Sequence, residues 1–215
     1  MESPLNIYGQ TKEWENACIH TRRDIAKREK RLQIFSIKKT NKVLDLGCGD
    51  GLNVGILHKL GIKDVVGVDI STELLKEARK NNPKAKFILG SAEKLPFKAQ
   101  TFDIVFVDSV FHHLLEYNKT IIEIRRVLKP HGLLCFIEPH RSFFRWLLDF
   151  ISILPISSFF PVIKERRIAY LGEKRFMTHW LATEDEFYKK LEKGKFKKNF
   201  LRQDFLSVVG EYRKD

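Results

Sequence analysis

Carboxylates and imidazoles stand where short apolar runs end: Asp45, Asp69, Asp108 and the pair His112-His113. Asp45 lies in VLDLGCGDG, residues 43–51, where Gly47, Gly49 and Gly51 permit a sharp turn and a close approach of backbone to ligand. The spacing is GxGxG followed by Leu52, so it misses the GxGxxG dinucleotide pattern, and no Lys-Ser/Thr pair follows to build a phosphate loop. A carboxylate two residues before the first glycine repels a pyrophosphate and favours an ammonium group. Asp69, which closes VVGVD, can accept hydrogen bonds from both hydroxyls of a ribose. An adenosine carrying an amino-acid tail satisfies both acids; the bland alternative is a glycine turn that takes no ligand. An imidazole with an unperturbed pKa of about 6.5 can serve as a general base at neutral pH, line a pocket or make a structural hydrogen bond. All three roles are open to His112 and His113.

Such groups need a scaffold that brings strand ends together. Apolar runs at 42–46, 65–69, 85–89, 104–108 and 133–138 read as strands, and the stretches between them carry helical periodicity, the pattern of a parallel sheet with crossover helices. A helix is expected over 51–60. Ser71 is placed to cap another over 72–81, with Leu74, Leu75 and Ala78 on one face, and Asn118 to cap a third over 119–128 through Ile121, Ile124 and Leu128 before Pro130. Upstream, 22–37 reads as an amphipathic helix with Ile25, Leu32 and Phe35 as its apolar members. Downstream, a helix over 183–193, with Phe187 and Leu191 inward, precedes two adjacent extended runs at 197–203 and 206–213. A tight connection makes those two antiparallel. The expectation is an α/β, doubly wound, Rossmann-like sheet of seven mostly parallel strands with one reversed strand at or near its edge. The chain then divides into a helical leader (1–42), a core (43–138), a helical lid insertion (139–182) and a closing helix with two strands (183–215).

The insertion is aromatic, with Phe143, Phe144, Trp146, Phe150, Phe159 and Phe160. A helix from 143 to 154 would reach about 18 Å against a hydrocarbon core of about 30 Å, so it cannot span a bilayer. Arg145, Asp149 and Ser152 form one narrow polar stripe beside a wide apolar face, which suits a lid, a dimer contact or an interfacial helix. The 143–163 segment is therefore a candidate for peripheral membrane contact. Arg166, Arg167, Lys174 and Arg175 follow, to meet an anionic group or face solvent.

The 215 residues carry 39 Lys and Arg against 27 Asp and Glu, a net charge of +12 concentrated on the two flanks. A field of that sign draws nucleic acid, anionic lipid or an acidic small molecule. Its bland reading is a solvated basic surface. Three scattered cysteines and an N-terminus without a secretory pattern point to a cytoplasmic protein with no disulfide framework, and the absence of any metal-ligand spacing leaves no metal centre expected.

The chain resembles class I S-adenosylmethionine-dependent methyltransferases, most closely the broad group that includes quinone-biosynthesis methyltransferases. VLDLGCGDG matches the family's glycine motif, VVGVDIS its ribose motif and GSAEKLPF (90–97) its adenine motif. TFDIVFVDSVFHHL (101–114) and EIRRVLKPHGLL (123–134) match the fourth strand and the turn before the fifth. The resemblance implies S-adenosyl-L-methionine as cofactor. It places the methionine end on Asp45 and the Gly47, Cys48 and Gly49 backbone, with Gly51 closing the turn, and the ribose on Asp69. It further puts the adenine against Ile70 with Ser91, Ala92 and Glu93 at its edge, and the sulfonium beside Asp108 and Ser109. Two positions depart from the family: Ser91 replaces a more usual Asp, and His131 stands where the turn usually has Gly.

Methyl transfer to a small, apolar or lipid-linked acceptor is the leading functional expectation, because loops beyond the strand ends set substrate choice and here they are aromatic. An RNA methyltransferase using the basic leader (Arg22, Arg23, Lys27, Arg28, Lys30, Arg31) is less favoured, since no RNA-binding module is recognisable. A non-catalytic cofactor-binding subunit is the third reading. The acceptor atom and the choice between monomer and homodimer stay open.

Overall fold

The computed structural model describes residues 24–153 and 161–215. Seven strands form one sheet in the order β3-β2-β1-β4-β5-β7-β6. They are β1 (Val43–Leu46), β2 (Val65–Asp69), β3 (Lys86–Leu89), β4 (Phe102–Asp108), β5 (Leu128–Pro139), β6 (Phe196–Gln203) and β7 (Ser207–Lys214). β1 to β5 run parallel, and β7 alone is reversed, wedged between β5 and β6. The reversed strand is thus second from the edge. β1 is buried along its whole length, Asp45 included, as a strand covered on both faces must be.

The helices are α1 (Ile25–Leu32), α2 (Leu52–Lys59), α3 (Thr72–Asn81), α4 (Asn118–Val127), α5 (Phe143–Ile153) and α6 (Pro161–Lys193). Ser71 caps α3 as its residue type predicts, its Oγ accepting from the Leu74 N–H at 3.2 Å, and Leu75 and Ala78 face the core. Two apolar clusters, one per face, enclose the sheet.

Several local expectations are corrected. Asn118 lies inside α4 rather than capping it; the cap is Tyr117, with no side-chain hydrogen bond. Leu128 is buried as expected but already belongs to β5, so the helix ends before Pro130 can act. The helix expected over 22–37 ends at Leu32; Leu32 and, beyond the helix, Phe35 are buried while Ile25 is exposed. His131 adopts φ of +62°, the left-handed turn conformation that the usual glycine takes without a Cβ clash.

The largest correction concerns the segment after β5. The helix expected over 183–193 begins at Pro161 and runs 33 residues. Phe176, Met177, Trp180, Phe187 and Leu191 recur along it at helical spacing and are buried, and the Trp180 indole N–H donates to the Pro139 carbonyl at 2.7 Å. α5 is turned opposite to an ordinary surface helix. Arg145 and Asp149 of its polar stripe face inward, paired Nε to Oδ2 at 3.2 Å, while Phe143, Phe144, Trp146 and Phe150 point out. Phe159 and Phe160 lie outside the described residues, as do Cys18, Arg22 and Arg23.

Candidate functional site

The loops leaving the carboxyl ends of β1, β2, β3, β4 and β5 share one edge of the sheet, the edge at which such folds bind ligands. Gly47 has φ of +73°, and a Cβ there would run into the Val110 side chain. The N–H groups of Gly47 and Cys48 donate to the Val68 carbonyl at 2.7 and 3.0 Å, and that of Gly49 donates to Asp69 Oδ2 at 2.8 Å. These donors are engaged by the protein, so the turn presents carbonyl and carboxylate oxygens to a ligand. That polarity suits an ammonium and disfavours a phosphate. Cys48 buries its thiol in the core, where desolvation pushes the pKa up, and contributes backbone only.

Asp45 is fully buried, and neither of its carboxylate oxygens has a hydrogen-bond partner among the described residues. Burial, then the nearby charges of Asp108 and Asp69, raise its pKa well above the usual carboxylate range, with Arg28 opposing. Asp69 also accepts from the Ser71 N–H at 2.8 Å, so it joins the first and second loops. Asp108 accepts from Asn53 Nδ2 at 3.1 Å, from the Ser109 hydroxyl at 3.0 Å and from the Arg28 guanidinium. Ser109 has φ of +63°, a conformation uncommon for a residue with a Cβ, which turns the chain sharply after β4.

Ile70 is exposed beside the second loop, free to cover an aromatic ring. Ser91 Oγ accepts from the Glu93 N–H at 3.2 Å and holds its own turn, Ala92 packs on the core, and Glu93 pairs with Lys119 at 3.5 Å. The fold therefore gathers Asp45, Gly47, Gly49, Asp69, Asp108 and Ser109 closely, with Ile70 and Ser91 to Glu93 at the side of β3. Arg28 was legible only as part of a basic helix. The structure brings it across the strand ends, where α1 spans Asp108 and Asn53 through Arg28, and Asp204 and Ser207 through Arg31.

His112 and His113 sit in a single 3₁₀ turn, Phe111–His113, after β4. Glu138, at the end of β5, accepts from the Val110 and Phe111 N–H groups, each at 2.7 Å, and lies 2.7 Å from His112 Nδ1. Burial alone would lower the His112 pKa, but Glu138 and then Glu173 outweigh it and raise it to about 9. The His112 side chain is 3% exposed against 17% for His113, so of the two only His113 is readily reached from solvent. Glu138 and Glu173 escape a reading by spacing. Their signal is a carboxylate on an apolar face: Glu138 closes a buried strand, and Glu173 stands on the inward stripe of α6 one turn before Phe176 and Met177.

Beyond β5, the exposed aromatic face of α5 continues onto Phe205 of the β6–β7 turn, whose ring centroid lies 4.7 Å from that of Phe144. Trp146 and Phe150 stack with centroids 5.7 Å apart. A cavity of about 250 Å³ opens between α5 and α6, with Trp146, Phe150 and Tyr170 on its wall beside Arg145 and Asp149. No helix among the described residues is long and apolar enough to cross a membrane.

A family model described as a methyltransferase domain matches residues 44–136, from β1 through most of β5. Over that segment, 93 of the 215 residues, the chain is similar to methyltransferases. The chain is 40% identical over 114 residues to an uncharacterized methyltransferase of Schizosaccharomyces pombe, covering 47% of this chain and 41% of that protein. It is 28% identical over 143 residues to the ubiquinone/menaquinone biosynthesis C-methyltransferase UbiE of Campylobacter jejuni, covering 62% of this chain and 61% of that one. The chain thus spans less than two thirds of these relatives' lengths. The crystal structure of a Pyrococcus horikoshii protein superposes with a TM-score of 0.63 at 27% identity, covering 90% of this chain and 92% of that one. The residues present fit S-adenosylmethionine, the cofactor the resemblance implies. Three clustered acids, one of them buried without a partner, meet a ligand with an ammonium and a sulfonium.

Proposed function

We propose that this chain transfers a methyl group from S-adenosylmethionine to a small, apolar or lipid-linked acceptor by in-line displacement. The outward aromatic face of α5, at the ligand edge of the sheet, carries the acceptor assignment: Phe143 is 67% and Trp146 59% exposed, a contiguous apolar patch that a solvated monomer rarely keeps without a use. When bound, the cofactor supplies a methyl already activated by its sulfonium charge.

The protein's part is alignment and exclusion of water. Asp45 and the Gly47 to Gly49 turn hold the ammonium end, Asp69 takes the ribose hydroxyls, and Ile70 with Ser91 to Glu93 borders the adenine. Asp108 and Ser109 stand at the sulfonium end, and α1 closes over them through Arg28. Where the acceptor must lose a proton, His113 is the reachable imidazole, while His112, buried and held by Glu138, keeps the turn in place.

The engagement of Arg28 with Asp108 and of Arg31 with Asp204 favours a small acceptor over RNA, because two cations of the basic leader already face acids of this chain. The test is methyl incorporation by purified protein from labelled donor into prenylated phenols, fatty acyl acceptors and tRNA. Activity on the apolar set is expected. A Trp146→Ser, Phe150→Ser double variant should raise KM for that acceptor about tenfold or more with donor affinity unchanged, as two lost apolar contacts of about 1–2 kcal/mol each imply. Methylation of tRNA alone would replace this reading with the RNA one, and donor binding without any transfer would leave a non-catalytic subunit.

A further inference from the structure

Behind the donor site, the 3₁₀ turn and α6 bring two imidazoles and a carboxylate into one cluster. The side-chain ligand atoms of His112, His113 and Glu173 all lie within 4.8 Å of one another. His112 Nε2 is 3.6 Å from Glu173 Oε2, and His113 Nε2 is 3.8 Å from Glu173 Oε1. Both gaps are wider than the usual N–H···O range and near the roughly 3.4 Å that separates two ligands at about 2.1 Å from a tetrahedral ion. We infer that His112, His113 and Glu173 bind a divalent transition-metal ion of zinc's character.

The supporting residues are arranged as such a site requires. Glu138 holds His112 through Nδ1 at 2.7 Å, which directs Nε2 toward Glu173, and Glu138 is itself pinned by the Val110 and Phe111 N–H groups. A carboxylate behind a ligating imidazole fixes ring orientation and strengthens it as a donor. The two imidazoles lie 4.1 Å apart between centroids, tilted by 38°, and both face Glu173. Two nitrogens and one oxygen select zinc, cobalt or nickel over magnesium and calcium, which take oxygen shells. The two carboxylates of Glu138 and Glu173 offer negative charge for a dication to balance. The site is reachable, with the His113 side chain 17% and that of Glu173 11% exposed. It stands on these ligands alone, whichever acceptor is methylated. It also makes His113 a ligand and not a base whenever the ion is bound.

The test is zinc titration of chelator-treated full chain against a competing indicator dye, with cobalt absorption as a report of geometry. The expected result is one ion per chain with a tetrahedral cobalt spectrum, and at least a tenfold loss of affinity in both His113→Ala and Glu173→Gln. Both variants should keep the wild-type circular dichroism and donor binding. Absence of stoichiometric zinc binding by the wild-type chain, or affinity retained in either variant, overturns the site. The cluster would then be a metal-free contact between the turn and α6. Donor binding in the same samples separates this outcome from failure of the methyltransferase reading.

Discussion

A carboxylate sealed inside a sheet without a hydrogen bond destabilises the protein that carries it, and among the described residues Asp45 finds no such partner. Its pKa is raised by burial and by Asp108 and Asp69, so in the cofactor-free protein ionisation of Asp45 opposes folding. The sign follows from linkage: the unfolded chain gives up this proton at lower pH than the folded one, so stability falls as pH rises above the unfolded pKa and levels off above the folded one. A bound ammonium reverses the preference, because it needs the charged form. Asp45→Asn should therefore stabilise the cofactor-free protein by about 1–3 kcal/mol, read by denaturant unfolding, and weaken donor binding by about 2–5 kcal/mol, read by calorimetry. Donor affinity in the wild type should rise with pH through the folded pKa of Asp45, with proton release visible when buffers of different ionisation enthalpy are compared. Asp45, Gly47 and Asp69 were legible because residue type and spacing alone state what they offer. Glu138 was not, since a lone glutamate at a strand end declares its role only when the turn after β4 lies against it.

At the scale of elements, the turn Phe111–His113 hangs on one side chain. Glu138→Ala leaves two well-placed backbone N–H groups and a buried imidazole without their acceptor, and should cost about 3–5 kcal/mol of stability, measured by chemical unfolding. Glu138→Gln should recover part of it, since an amide oxygen still accepts. The strands and first helices could be read from apolar periodicity, because each carries its own pattern. α6 could not. Its upper half is dense in charge, and the inward stripe through Glu173, Phe176, Met177 and Trp180 interleaves a carboxylate with the apolar positions that continue to Phe187 and Leu191. For α5 the sequence left a lid, a dimer contact and an interfacial helix open. A wide apolar face ordinarily turns to the core, but the Arg145–Asp149 pair is taken up between α6 and the β6–β7 turn, where Arg145 also reaches the Leu206 carbonyl at 3.5 Å and Met177 Sδ at 3.4 Å.

For the whole molecule, the donor edge is assembled from loops that depend on one another: the Gly49 N–H rests on Asp69, Arg28 of α1 on Asp108, and Arg31 on Asp204. A ligand that bridges them stabilises the entire fold by mass action, about 2.7 kcal/mol at a hundred times its Kd. For a domain of this size that corresponds to a rise in Tm of about 5–10 °C on adding S-adenosylmethionine or its demethylated product, and Asp45→Asn should abolish most of it. No shift with either ligand would count against the donor site itself. The chain's local patterns alone determined the alternating sheet, its reversed strand, the glycine turn and the acids at the strand ends. Each follows from backbone sterics or from side-chain periodicity within a few neighbouring residues. Only tertiary structure decided that Arg28 crosses the donor edge, that Glu138 and Glu173 converge on two histidines, and that the aromatic face of α5 looks outward. Those outcomes depend on partners distant in the chain, whose approach is set by how the layers pack.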